Sequence, residues 1–504
     1  MRPPRTPRYA NLTNRAHNTD GRDIAIRRFR VATVTACLIV TASGCAHVTS
    51  HATNPATDDV PANWSVADAT TAQGATSLAQ WWSRFDDPLL SRLVSDALQA
   101  NTTVTGAQAA LRQARALRDV AAAALFPTLA GSASAQRSSS TNGAAPSAGR
   151  TSSNNFQVGL DANWELDIFG ANRSALNASE AAASASGASL GDVQVSVAAE
   201  VALGYITLRV AQARLTIAND NLASQQETLQ ITLWRQQAGL VTSIEAEQAR
   251  AAAEQTGALI ASLQTAIGQA SHALAVLVGR PPAALTDVLA SVTPVPRPDD
   301  GLALRLPAET LRQRADVRSA EYQVTAARAR VSQAEAAQWP SFAIGGSLGL
   351  NALTLGALTN GASVVSTLLA SVSLPIFDGG ARRAQVNAQQ AALDQAQTAY
   401  RAAVLLALKD VEDALVALRG DRLRVVHLNN AADAAAKASL MARQRYSSGL
   451  VDFQIVLETQ RTQLGTQDAL ATAGADLSSD YVRLYKALGG GWDPETSTNR
   501  ASTP

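Results

Sequence analysis

One stretch decides the architecture: Phe156-Gln157-Val158-Gly159-Leu160-Asp161-Ala162-Asn163-Trp164-Glu165-Leu166-Asp167-Ile168-Phe169-Gly170-Ala171-Asn172-Arg173. Phe156, Val158, Leu160, Ala162 and Trp164 alternate with Gln157, Gly159, Asp161, Asn163 and Glu165. That period of two makes a strand with one apolar and one polar face. From Ala171 the period turns helical and stays so to about Gln236, a rod of roughly 95 Å at 1.5 Å per residue. Gly239 breaks the helix, and a second one returns through Ser243 to Leu277.

The same order occurs twice. Gly170-Ala171 and Arg173 recur 210 residues on as Gly380-Ala381 and Arg383, and Glu200-Val201, Leu208 and Arg209 as Asp410-Val411, Leu418 and Arg419. Arg235 and Gly239-Leu240-Val241 recur as Arg445 and Gly449-Leu450-Val451, and Leu274 and Gly279 as Leu484 and Gly489. Upstream the offset slips to 213, where Phe126-Pro127 answers Trp339-Pro340. A fixed offset over so long a stretch marks an internal duplication of about 210 residues.

Each copy offers a strand pair. Phe342, Ile344, Leu348 and Leu350 alternate with Ala343, Ser347 and Gly349, and Leu368, Ala370, Val372 and Leu374 form a fourth strand. The segment from Leu129 to Ala135 is the weakest of the four. Strands of about ten residues suit a tilted transmembrane β-strand. Their loops are expected over Ser138 to Asn155 and Asn351 to Ser363. The second helical hairpin is expected as Ala381 to about Arg445 and Asp452 to Leu488, its long arm carrying Ala384, Ala388, Ala392, Ala396, Ala399, Ala403 and Ala407. A stripe of small residues lets neighbouring helices approach closely.

Four strands cannot close a barrel, and open edges are not tolerated in hydrocarbon. The chain must share a barrel with copies of itself. Two copies give 8 strands, whose interior side chains fill; three give 12, wide enough for a channel above a helical tube.

The first 30 residues carry eight arginines against Asp20 and Asp23; an apolar run, Val31 to Val40, follows, then Ala42-Ser43-Gly44-Cys45. Basic, apolar, then small residues is the order of an export signal, and the run is too short to span a bilayer. Small residues before a cysteine resemble a bacterial lipobox, with Cys45 as the lipidated first residue of the mature chain. The alternative is a plain secretory signal with an incidental cysteine. Removal of residues 1–44 takes eight of 42 basic and two of 41 acidic residues, so the net charge of +1 becomes −5. It also removes Cys37, leaving no partner for a disulfide. Six segments follow: 1–44 as signal, 45–80 as lipidated N-terminal segment, 81–279 and 308–492 as the two repeats, 280–307 as the inter-repeat belt, and 493–504 as tail.

The 504 residues are 46% hydrophobic, 4% aromatic and 16% charged, with a mean hydropathy of −0.01. That balance fits neither a disordered chain nor a polytopic helical membrane protein, and the net charge gives no case for a nucleic-acid partner. The five histidines are scattered, Cys37 and Cys45 match no metal spacing, and Gly489-Gly490-Gly491 lacks the strand-to-helix context of a phosphate loop. No catalytic constellation and no cofactor site is expected, so the chain reads as a non-enzyme.

Trp81-Trp82 with Phe85 and Asp87-Pro88-Leu89 resembles the N-terminal signature of the outer membrane factor, or TolC-like, family, in its multidrug-efflux lipoprotein branch. So do Trp164 to Gly170, Pro375-Ile376-Phe377-Asp378-Gly379-Gly380, and Leu484 to Trp492. Arg314-Ala315-Asp316 departs from it, since the family usually has proline second. The resemblance implies a homotrimer with a 12-stranded outer membrane β-barrel continuous with a long periplasmic α-helical barrel. It also implies a periplasmic adaptor protein and an inner-membrane pump as partners, with this chain as the passive exit duct. The alternatives are the channel of a type I protein secretion system and a non-conducting coiled-coil lipoprotein of the periplasm.

Two sets of residues are singled out. Glu458 and Arg461 stand at i, i+3 and could simply pair on one helix face. The resemblance places them at the periplasmic aperture, where rings of charge restrain opening and filter ions. Arg235, Gly239 and Leu240, with Arg445, Gly449 and Leu450, sit at the hairpin tips. They are helix C-caps with a local apolar contact, or, by the resemblance, the surface that meets the adaptor.

Overall fold

The structure, a computed structural model, describes residues 61, 63–65, 78–141, 150–298, 307–359 and 364–492. The leader, Cys45 and the tail 493–504 lie outside the described residues.

A helical turn at Leu78–Phe85 precedes α1 (Pro88–Ala100) and α2 (Thr102–Ala123). Then come β1 (Thr128–Thr141) and β2 (Arg150–Leu166), the long helix α3 (Ala171–Gln237) and the returning helix α4 (Ser243–Leu277). Short turns at Pro282–Leu285 and Thr286–Leu289 lead towards α5 (Pro307–Gln313). The order then repeats as α6 (Ala315–Ala336), β3 (Ser341–Ala352), β4 (Val364–Ser373), α7 (Ala381–Ser447) and α8 (Phe453–Ala487). α3 and α7 are both 67 residues long and start 210 apart, and α4 and α8 are both 35. α2 and α6 are both 22 residues and start 213 apart, so the slip in offset falls between α6 and α7.

β1 and β2 run longer than the expected ten residues, whereas β4 has ten. β1 has 14 and β2 17, because the ladder continues past the apolar alternation through Ser138↔Ser153 and Ser139↔Ser152. Backbone pairing does not need an apolar face, so it outruns the pattern that betrays the strand. The loops are correspondingly shorter than Ser138 to Asn155 and Asn351 to Ser363. The 22-residue helices ahead of each strand pair were outside the strand-and-hairpin reading of the repeat. Their apolar positions are mostly alanine, which gives a weak periodic signal.

α6 starts cleanly at Ala315 without the family's proline. Arg314 is its N-cap in extended conformation, and a good helix former at the first position serves where proline is merely favoured. α3 contains a window as apolar as a membrane span, but more than half of that window is buried inside the protein. It is a core helix.

The main core lies at the level where the helices meet the N-terminal segment. Trp81, Leu90, Leu93, Tyr205, Leu208, Leu274 and Leu484 are all fully buried there, each worth about 1.5–3 kcal/mol for the larger aliphatic and aromatic chains. Trp81 stacks on Tyr485 at 5.3 Å, and Asp87 caps α1 through the backbone N–H groups of Leu89 and Leu90. Tyr205 donates to the other Asp87 oxygen at 2.7 Å. The C-terminal end closes the same core: Gly491 N–H donates to the Leu78 carbonyl, and Trp492 Nε1 donates to that of Gln313. A Cβ at Gly191 would stand 2.6 Å from the Trp492 ring. Gly191→Leu is therefore expected to destabilise the fold by roughly 1–3 kcal/mol through overpacking, read as a lowered thermal midpoint of the purified protein.

Candidate functional site

The sheet runs β1-β2-β3-β4, antiparallel throughout, with β1 and β4 as edges. Paired residues share a face, so the register sorts the side chains. One face carries Leu129, Val158, Leu160, Trp164, Leu348 and Leu368, and all six are exposed, Leu368 at 83%. The other carries Ser132, Gln157, Asp161, Asn163, Ser347 and Thr367. At the base of the strands Phe169 stacks on Trp339 at 5.6 Å, and Phe126 and Phe377 stand exposed. A band of solvent-facing apolar chains with aromatics at its rim is the pattern of a membrane strand.

At the opposite end are the hairpin tips. Gly239 (φ +71) and Gly449 (φ +74) take the left-handed conformation that ends each helix. Leu240 N–H donates to the Arg235 carbonyl and Leu450 N–H to that of Arg445, both at 2.8 Å. These bonds satisfy carbonyls the helix end would leave orphaned, and they leave Leu240 and Leu450 exposed at 68% and 74%. The first tip continues into a capping box between Thr242 and Glu245.

The two arginines, alike in sequence, differ in space. Arg235 lies over the Tyr446 ring at 4.6 Å and donates to the Tyr446 carbonyl at 2.6 Å, tying the first tip to the second. Tyr446 is buried against Phe453. Arg445 is exposed. The glycines and leucines of the two tips therefore match in space as in sequence, whereas Arg235 is taken up inside the chain. Exposed Trp234 and Ile244 flank the first tip; sequence reasoning passed over both, although an exposed tryptophan beside a turn glycine was a usable signal.

Glu458 and Arg461 are both exposed on α8, and among the described residues they form no ion pair with each other.

The sequence singled out Arg314 only for its missing proline. Its Nη1 donates to the Ala487 carbonyl at the end of α8, and its other nitrogens bind Asp316 and Asp410. Burial opposes ionisation of Asp316, but the Arg314 guanidinium outweighs it and holds the carboxyl below the usual carboxylate range. In the first repeat Asn101 does the same work, its amide donating to the Leu277 carbonyl at 2.8 Å. Among the described residues no group of three or more metal-ligating side chains is assembled.

The sequence pattern of outer membrane efflux proteins matches residues 93–280 and again 306–490. The chain belongs to the outer membrane efflux protein family. It is 31% identical over 437 residues to the solvent efflux pump outer membrane protein SrpC of Pseudomonas putida, covering 86% of this chain and 92% of that protein. It is 30% identical to the outer membrane protein OprJ of Pseudomonas aeruginosa, covering 91% and 96%. Among solved structures, the outer-membrane channel OprN matches with a TM-score of 0.82 at 34% identity, covering 87% and 98%. This efflux protein is thus an outer membrane channel, in a family of channel proteins, and the protein-secretion alternative is not favoured.

Loss of Arg314 would leave the Ala487 carbonyl and two carboxylates without a cation. Arg314→Ala is expected to lower stability by about 2 kcal/mol, less than the 3–5 of a deeply buried pair because both aspartates are partly solvated. Thermal unfolding measures it, and Arg314→Asn, copying the first repeat, should recover part of the loss.

Proposed function

We propose that three copies of this chain close a 12-stranded barrel over a helical tube, forming the passive exit duct of a tripartite efflux system for drugs and other small toxic compounds. The observation that carries it is the sheet: an apolar outward face with two unpaired edges, β1 and β4. Each unpaired backbone group would cost several kcal/mol in hydrocarbon. Pairing β4 of one copy with β1 of the next removes every edge, and three copies give a lumen lined by the polar face.

The repeat supports the same assembly. α3 buries Ala178, Ala181, Ala185 and Ala188, and at this level Ser189 and Ser319 of α6 meet with hydroxyls 2.9 Å apart. The matching stretch of α7, Ala384 to Ala399, is largely exposed, and nothing lies within 4 Å of a Cβ at Gly106 on α2. A unit of about 210 residues used twice leaves one such seam satisfied within the chain and one open for the next copy. Cysteines at Gly106 and Ala399, the counterparts of Ser319 and Ser189, are expected to form disulfides between copies. A ladder ending at trimer on a non-reducing gel checks this; monomer alone under oxidation would refute the assembly.

Cys45 is the lipid anchor, holding the N-terminal segment at the periplasmic face of the outer membrane. A periplasmic adaptor meets the tips at Leu240 and Leu450 and links the duct to an inner-membrane pump, which supplies the energy. Six exposed leucines in a trimer, each beside a rigid cap, offer the adaptor a repeated apolar contact. With both leucines changed to aspartate, efflux is expected to fall at least tenfold, the effect of roughly 1.4 kcal/mol in coupling, while the trimer persists.

Glu458 and Arg461, exposed and unpaired with each other, are free to form the charged rings of the aperture. The double variant Glu458→Ala, Arg461→Ala is expected to raise conductance in planar bilayers. Unchanged conductance would remove them from the aperture.

A further inference from the structure

At the foot of the sheet the two repeats use similar residues with different outcomes. Phe169, just past the end of β2, stacks on Trp339, just ahead of β3, with ring centroids 5.6 Å apart and planes 20° apart. Phe342 of β3 also meets Phe169, at 6.3 Å. This contact staples the first strand pair to the second, beside the backbone ladder that joins β2 to β3.

Each partner has a counterpart. Ile168-Phe169 recurs as Ile376-Phe377 just past β4 (376 − 168 = 208), and Trp339-Pro340 answers Phe126-Pro127 just ahead of β1 (339 − 126 = 213). Phe342 answers Leu129 at that second offset. All three counterparts are exposed: Phe126 at 67%, Leu129 at 71% and Phe377 at 92%. They lie at the two edges of the sheet, three strand spacings or about 14 Å apart, so Phe377 cannot reach the others within one chain. The turn that presents Phe377 is nonetheless fixed. Asp378 accepts from the backbone N–H groups of Gly380 at 2.9 Å and Arg382 at 3.1 Å, as Asp167 beside Phe169 accepts from those of Asn172 and Arg173.

The offsets also specify a register. Leu166 lies opposite Phe342 in the β2–β3 ladder. Carried forward by 208 and back by 213, that pair becomes Leu374 opposite Leu129. Val372 then falls opposite Gly131, Ala370 opposite Ala133, and Leu368 opposite Ala135. On β4, Val372, Ala370 and Leu368 share the apolar face through pairing with Phe342, Ile344 and Gly346. On β1, Gly131, Ala133 and Ala135 share the same face through Leu160, Val158 and Phe156. Apolar face therefore continues into apolar face, whereas a slip of one residue would turn one strand over.

We propose that Phe377 of one copy stacks on Phe126 of the next, beside Leu129, and that β4 and β1 pair between copies in the register Ala370 opposite Ala133. The inference rests on the trimer proposed above and names the contact that closes each of its seams. Stacks within a chain and between chains then alternate around the ring, forming an aromatic collar where the strands hand over to the helices. An aromatic pair adds its own attraction to the area it buries, so the collar reinforces a seam that the backbone ladder alone would join.

Two measurements on the purified full-length protein test this. Ala133→Cys with Ala370→Cys is expected to give, on oxidation, a disulfide ladder ending at trimer, because opposed residues of antiparallel strands lie within disulfide reach. Ser132→Cys with Ala370→Cys, one residue out of register and on opposite faces, should stay monomeric on the same gel. A missing ladder at 133 and 370, with the one at 106 and 399 present, would overturn the seam and leave the trimer standing; absence of both would remove the trimer as well. For the rings, Phe126→Ala and Phe377→Ala are each expected to raise about tenfold the concentration at which the trimer half-dissociates in detergent, and the double variant no further. Both rings are exposed in the single chain, so these variants keep its fold. Single variants without effect, or a double loss equal to the sum of the two, would overturn the stack.

Discussion

A β-sheet with two free edges and an apolar face cannot stand alone in a bilayer. Here β1 and β4 are those edges, and the leucines of the outward face are exposed in the single chain. The rest follows from meeting that constraint. In the proposed assembly each chain is a sector of a ring, and the helices beneath inherit that arrangement. An alanine stripe that would be wasteful in a globular core becomes useful, because small side chains let helices run alongside one another for many turns. The scarcity of aromatic residues has the same origin: long helices packed side by side need close approach more than bulk.

The few aromatics are spent where the chain must be held at one height. Trp81, Tyr485 and Phe85 pack together in the main core, and Trp492 closes over Gly191. The residues around Trp81 and Trp492 that carry the family resemblance are thus a clasp between N-terminal and C-terminal segments. The two helix junctions repeat this logic with different groups. Asn101 satisfies the end of α4 with a neutral amide, whereas Arg314 satisfies the end of α8 with a guanidinium that then needs Asp316 and Asp410. Once a cation occupies the second junction, that side of the molecule fills with carboxylates, and Asp480 is left among them.

Much of this was legible in the sequence. The alternation from Phe156 to Trp164 located β2 and its faces, and the breaks at Gly239 and Gly449 placed both tips within a residue or two. The serine-rich extension of β1 and β2 was not legible, since paired backbone leaves no mark on side-chain pattern there. Helices α2 and α6 were faint for a related reason: alanine is a strong helix former but a poor marker of which face is buried. The Ser65 backbone N–H bonds Glu412 at 2.8 Å, across 347 residues, and no local rule reaches so far.

By itself the sequence determined which residues alternate, which spiral, where each helix stops, and that all of it happens twice. Those properties are local, set by side-chain period and by glycines that accept a left-handed turn. Only the tertiary structure decided which member of each repeated pair finds a partner. Arg235 and Arg445 share a motif, yet one lies on Tyr446 and the other faces solvent. Ala270 and Asp480 share a position, yet one packs against apolar neighbours and the other is buried with a carboxyl that accepts from Arg483. A repeat fixes what each copy offers, but a single chain has neighbours on one side of each copy only, and that asymmetry is a fact of space.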